Sequence, residues 1–250
     1  MRYFVLLFFC GVLLADQDRS TNQQNAAVLG KLVYTDLSVS FNGESAASVM
    51  DYIENELGVL IQVYWESKNK DGCNKNLEIH LKLNEQPGLI VLERVLEQLH
   101  ETEDVTWQLQ DGVLGVGLKT MLSKRGLKKL ITYPINDLLF TIRDFEAPEL
   151  NPSNGPGSMK PNNEPEEPTK QEKINRIIEL ITTFVEPNLW KQNGGECTIS
   201  NYQESLLIRA PDFIHRQIGG YPFEPTKPRE MRTRRIQYSK EKTLIRVPRK

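Results

Sequence analysis

Three histidines and three cysteines in 250 residues leave metal and thiol chemistry little material. Cys10 sits inside an apolar N-terminal run, so Cys73 and Cys197 are all that a folded body has. Two cysteines so far apart define no disulfide framework; two thiols are the plain reading, and their pairing in an oxidising compartment is the alternative. His80, His100 and His215 have no partner at the i, i+4 spacing of a helical zinc motif, and Cys73 with His80 has no second pair at ligand spacing. Cys197 has no histidine that marks a nucleophilic pair. Neither a Gly-x-Ser-x-Gly elbow nor a dinucleotide fingerprint occurs. Glu54, Glu56, Glu93 and Glu97 are plentiful carboxylates, but on helix surfaces such residues are ordinary, and Arg94 with Glu97 reads as an exposed i, i+3 pair. The expectation is therefore a chain with no catalytic, cofactor-binding or metal-binding residues, and an envelope enzyme with a site gathered from scattered carboxylates is the weaker alternative.

Charge of one sign is also scarce: the net value of −2 gives no global case for nucleic acid or membrane. Its distribution is uneven. From Tyr221 to Lys250 ten Lys/Arg face three Glu, a local charge of +7, which leaves the remainder at −9. Arg232, Arg234 and Arg235, with Arg246 and Arg249, are candidate contacts for an anionic envelope polymer, lipid head groups or an acidic protein; a solvated tail is the plain reading. Nucleic acid is not expected behind an export signal. That signal is Arg2 followed by twelve apolar residues, Tyr3 to Leu14, too short to cross a bilayer, which takes about 20 residues, but suited to a secretory segment ending near Ala15. Cys10 raises a lipoprotein alternative, which its neighbours Phe8 and Phe9 disfavour.

Two stretches share one pattern. Leu37, Val39 and Phe41 alternate as in a half-buried strand, Ala46, Val49, Met50, Ile53 and Leu57 recur at helical spacing, and Val59, Ile61, Val63 and Trp65 alternate again. Gly58 is placed to stop the helix. Forty-two residues on, Leu77 to Leu83, a helix with Pro87 in its first turn and Leu89, Leu92, Leu96 and Leu99 as its stripe, and Val105 to Leu109 repeat the order. Phe41 then matches Leu83, Asn42 matches Asn84, Met50 matches Leu92, Leu57 matches Leu99 and Trp65 matches Trp107. The offset predicts a closed domain of two strand–helix–strand units. "DGVLGVGLKT", Asp111 to Thr120, has the glycine spacing of a phosphate loop, but Leu118 stands where lysine is required. Asp111-Gly112 instead lies between two alternating runs, which predicts a tight hairpin turn, with Gly115 and Gly117 on one face of the second strand for close packing.

Beyond a helical turn at Thr120–Arg125, "KLITYPI" is a strand, the stripe Ile174, Ile177, Ile178, Ile181, Phe184 and Val185 a helix, "GGECTIS" and "SLLIRA" a hairpin, and "PDFIHRQI" a last helix. The fold expected is α+β: a two-unit β-α-β domain with a β-hairpin over residues 32–126, then a small β-α-β-β-α module over 127–146 and 171–220. Residues 1–15 are the signal peptide and 16–31 a disordered lead. Residues 147–170, rich in Pro, Asn and Glu, form a linker at which proteolysis should leave two resistant fragments, and 221–250 a disordered basic tail.

The first domain, Leu37 to Leu118, resembles the short N-terminal domain of secretins and TonB-dependent receptors. The second module, carried by "YPINDLL", "IIELITTFVEPNLW" and "GGECTISNYQESLLIRAPDFIHRQI", resembles the ring-forming repeats of secretins, and the whole is similar to uncharacterised envelope proteins of planctomycete-type bacteria. With a basic tail and no pore-forming barrel after these modules, the expectation is the periplasmic modules alone and not a complete secretin. The resemblance implies an exported, periplasmic or envelope protein without catalysis, which binds an envelope protein or its own copies through sheet edges. Trp65 and Trp107, at equivalent strand ends, offer a second reading as a carbohydrate platform; as ordinary core caps they need no ligand. Trp190 reads as a cap of the second module.

Overall fold

The computed structural model describes residues 4–67, 72–124, 128–140, 168–228, 236–238 and 243–245. The chain is α+β and divides into two compact units, Met1–Lys128 with Pro211–Lys250, and Lys129–Ala210. The second unit is thus inserted between two parts of the first.

Unit 1 opens with helix α1, Phe4–Tyr34. Strand β1 (Asp36–Ser45), helix α2 (Ala46–Leu57) and strand β2 (Leu60–Val63) follow. Strand β3 (Glu78–Pro87), helix α3 (Gly88–Leu96) and strand β4 (Val105–Gln110) repeat that order. Strand β5 (Val113–Leu118) and helix α4 (Lys119–Lys124) complete the N-terminal part. Helix α2 starts where the Ser45 hydroxyl accepts from the Ser48 amide, and stops at Gly58 in the left-handed region. In the second copy Pro87 precedes the helix rather than joining its first turn, and Leu99 lies beyond its end, still fully buried.

β1 and β3 form an antiparallel pair whose register restates the sequence repeat. Adding 42 to one strand and subtracting it from the other turns Asp36↔Pro87 into Ser45↔Glu78, and Val39↔Leu83 into Phe41↔Leu81; Ser40↔Lys82 maps onto itself. The ladder has a local two-fold axis at that pair. Gly43 (φ 100°) and Glu85 (φ 49°), also 42 apart, carry positive φ at the two register shifts. The other sheet has the order β2-β5-β4, with β2 parallel and β4 antiparallel to β5. Met50, Leu57, Leu92 and Leu99 meet in a core with Ile53, Ile79, Leu109 and Leu114.

Three expectations for this unit are corrected. Residues 16–31 are not a disordered lead: they belong to α1, where Asn25, Ala26, Val28, Leu29 and Leu32 are buried. Their i, i+3, i+4 and i+7 spacing was hidden behind the polar run that precedes it. The last helix, α7 (Asp212–Gly219), leaves the second module and packs on β4 of unit 1. The tail, expected to be disordered, is ordered over its described residues, 221–228, 236–238 and 243–245; the rest of it lies outside the described residues. Tyr221 and Phe223 pack on the unit 1 core, the Thr226 amide donates to the Ala26 carbonyl at 2.9 Å, and Ile236–Tyr238 pairs with Thr243–Ile245. Gly30 is what admits this strap, since a Cβ there would lie 1.8 Å from the Thr226 carbonyl oxygen.

Unit 2 contains strand β6 (Lys129–Pro134), helix α5 (Asn136–Leu139), helix α6 (Lys170–Phe184), strand β7 (Thr198–Tyr202) and strand β8 (Ser205–Ala210). All pairs in its sheet, β6-β8-β7, are antiparallel. A capping box of Thr169 and Glu172 starts α6, so the end of the expected linker is helix; residues 147–167 of it lie outside the described residues. That stretch falls between α5 and α6, inside unit 2. Lys129 and Ala210, the first and last residues of the unit, are cross-strand partners.

Candidate interaction surfaces

A strand at a sheet edge turns alternate N–H and C=O groups outward, and each is an invitation to another strand. In unit 1 the four edge strands meet that problem with side chains of the same unit. On β1 the Asn42 amide donates to the Glu44 carboxylate. On β2 the Ile61 amide donates to Glu54 Oε2 at 3.0 Å. On β3 the Gln98 side-chain amide takes both groups of His80: Oε1 accepts from the amide at 3.0 Å, and Nε2 donates to the carbonyl at 3.2 Å.

β4 is closed by α7. Asp212 Oδ2 accepts from the Leu109 amide at 3.1 Å, and Arg216 Nη1 donates to the Trp107 carbonyl at 3.2 Å. One residue of a parallel strand opposite Gln108 would bond those same two groups. Two side chains four apart on a helix therefore stand in for a strand. Tyr221 donates to the same Asp212 oxygen at 2.8 Å, and its phenol is held well above the ordinary range, chiefly by burial and then by the Asp212 charge. The Arg216 guanidinium lies 3.6 Å from the centre of the Trp107 ring.

Unit 2 treats its edges differently. The two-residue turn Gln203-Glu204 makes Tyr202 and Ser205 the bonded pair that closes the hairpin, so Thr198, Ser200 and Tyr202 bond β8 while Ile199 and Asn201 face outward. Cys197, the preceding outward residue, is used by the loop at Trp190: its amide donates to the Leu189 carbonyl at 2.9 Å, and its carbonyl accepts from the Lys191 amide at 2.8 Å. At the opposite edge the same alternation turns Leu130, Thr132 and Pro134 outward. Pro134 has no N–H to offer, a common way to blunt an edge. Among the described residues no side chain or strand takes the outward groups of Ile199 and Asn201 on β7, or of Leu130 and Thr132 on β6. The sheet face opposite the core shows Leu130 at 65% and Tyr202 at 64% exposure.

Trp107 is 4% exposed, beneath Arg216 and beside Tyr221, and Trp65 is half-buried against the same core. Trp107 therefore offers no exposed ring face, and α7 covers the edge of β4 beside it. Trp190 is buried and donates from Nε1 to the Val185 carbonyl at 2.6 Å. Arg232, Arg234 and Arg235, with Arg246 and Arg249, lie outside the described residues. His80 is exposed and 3.9 Å from Glu78, while His100 Nδ1 accepts from the amides of Thr102 and Glu103 after the helix end, and His215 is buried in α7. Among the described residues no three His, Cys, Asp or Glu side chains gather as a metal site.

Cys73 and Cys197 are buried thiols in separate units and are not bonded to each other. Burial, with the Glu66 charge second, pushes the Cys73 thiol up to about 12. Lys119 and Thr120, the residues a phosphate loop would have used, instead reach Asp104 at 3.0 Å and Glu103 at 2.7 Å. Among the described residues no helix is long and apolar enough to cross a membrane. No protein-family model matches the chain, and no curated protein matches it in sequence.

Proposed function

We propose that the chain is an exported, non-catalytic interaction protein of the cell envelope, built on the plan of secretin N-terminal modules, and that it adds a strand of its partner to β7. The observation that carries this reading is the contrast between edges. Each of the four edge strands of unit 1 has a side-chain cap on at least one outward group, β6 ends in Pro134, and on β7 the outward groups of Ile199 and Asn201 have neither cap nor proline. A partner strand there would gain backbone hydrogen bonds, and alternate side chains would fall over Ile199 and Tyr202 for selectivity. Export fits the apolar run before Ala15, because cleavage there leaves intact the α1 residues that enter the core, from Asn25 onward.

The test is Asn201→Pro in the full chain. It removes one outward N–H and no bond to β8, so stability should stay within about 1 kcal/mol while capture of the envelope partner by in-cell cross-linking is lost. Ser200→Pro removes a bond to β8 and should weaken unit 2 itself. An unchanged partner set in a folded Asn201→Pro protein would refute pairing at β7, and an intact Met1 on protein from the cytoplasm would refute export.

A further inference from the structure

Among the described residues of unit 2, helix α6 carries apolar side chains that are left exposed. Ile174 is buried on its inner side, while Leu180 is 48% and Phe184 77% exposed. Lys170, Lys173, Ile177, Leu180 and Phe184 follow one another at steps of three, four, three and four residues, the spacing of a coiled-coil seam. The charges along the helix run against its own dipole. Lys170, paired within unit 2 to Glu204 at 2.8 Å, Lys173 and Arg176 occupy the N-terminal half, and Glu179 and Glu186 follow in and just after the C-terminal half. A helix N-terminus favours acidic groups and its C-terminus basic ones, so this order does not serve the isolated helix. Glu172, the one acid in the first turn, is committed to the capping box, and the Thr169 bonds lower its carboxyl below the ordinary range.

We propose that α6 pairs with α6 of a second copy of this chain, antiparallel, along the seam Lys173, Ile177, Leu180 and Phe184. Antiparallel pairing centred between Ile177 and Leu180 sets each Ile177 against the other copy's Leu180. It also sets Lys173 over Phe184, where its methylene stem covers the ring. The basic half of each helix then faces the acidic half of the other, and the two dipoles oppose. Parallel pairing would stack Lys173 on Lys173. Leu138, at the adjoining α5, is 65% exposed and widens the apolar patch. This proposal is independent of strand addition at β7.

Sedimentation velocity on the full chain tests it. The expected result is a dimer at micromolar concentration that the double variant Leu180→Glu, Phe184→Glu weakens ~30-fold or more, with far-ultraviolet circular dichroism unchanged. Leu180→Ser with Phe184→Ser gives the same reading should the charged pair impair folding. Asn201→Pro should remain dimeric, which separates this surface from the β7 edge. Orientation is read in a Cys10→Ser background, where Cys73 and Cys197 are fully buried. Chains with Lys173→Cys should cross-link to chains with Phe184→Cys faster than either does to itself. A wild-type monomer, a dimer indifferent to both double variants, or preferential self-cross-linking would each overturn the proposal; the first is also the result if another segment of the chain covers α6.

Discussion

Asp111 and Gly112 both hold positive φ, 51° and 76°, and between them reverse the chain from β4 to β5 in the register Gln110↔Val113. The Gly112 amide donates to Asn25 Oδ1 at 2.8 Å, which ties the turn to α1. Gly112→Val is expected to cost about 1–2 kcal/mol, because a β-branched residue resists that backbone and its Cβ would press on Gln24, 3.2 Å away. Lys119→Ala removes one partly exposed ion pair and should cost no more than about 1 kcal/mol, with no shift of melting temperature by ATP in either protein; urea titration checks both. Cys73 gives a pH dependence. Its folded thiol titrates at about 12 against 9.0 for an ordinary one, so the folded state holds the proton more tightly. That contribution is complete below pH 9 and is lost as the pH rises from there toward 12. The Tyr221 phenol acts in the same direction. Alkylation of Cys73 should therefore be slow in the native protein at pH 8 and fast in urea; equal rates would contradict its burial.

At the scale of elements, what was legible in the sequence was what is local. The alternation at Leu37–Phe41, the stripe from Ala46 to Leu57 and the turn at Asp111-Gly112 each carry their signal within a few residues, and the structure follows them. The edge caps were not legible. Gln98, Glu54 and Asp212 are ordinary polar residues until the fold sets them beside His80, Ile61 and Leu109. For α7 the sequence shows an amphipathic helix but not the surface it covers, because the partner strand β4 lies about a hundred residues earlier. The core segment of α1 was masked by polar neighbours in the same way. Asp212→Ala should be felt at that distance. It strips the acceptor from both the Leu109 amide and the Tyr221 hydroxyl, an expected loss of about 1–3 kcal/mol. Asp212→Asn keeps one acceptor oxygen and should lose less; hydrogen exchange at the Leu109 amide reports the opening directly.

Considered whole, the molecule interrupts itself. Unit 2 enters and leaves at cross-strand partners, Lys129 and Ala210, so its two connections start from neighbouring points of one ladder. The expected linker accordingly divides a unit and not a pair of units, and the two resistant, separable fragments expected of a cut there do not follow. A cut between α5 and α6 instead makes two polypeptides with entangled ownership. The N-terminal piece keeps most of unit 1 together with β6 of unit 2, and the C-terminal piece keeps β7, β8 and α6 together with α7 and the Thr226 strap of unit 1. Each piece withholds what the other needs. A protease site placed at Gly155 should therefore yield one species under native conditions and two bands after denaturation. The halves, expressed apart, should regain their structure only when mixed; halves that fold alone would show that neither unit depends on the loan. By this plan the chain is a natural pair for reciprocal fragment complementation, with assembly of either unit reporting that of the other.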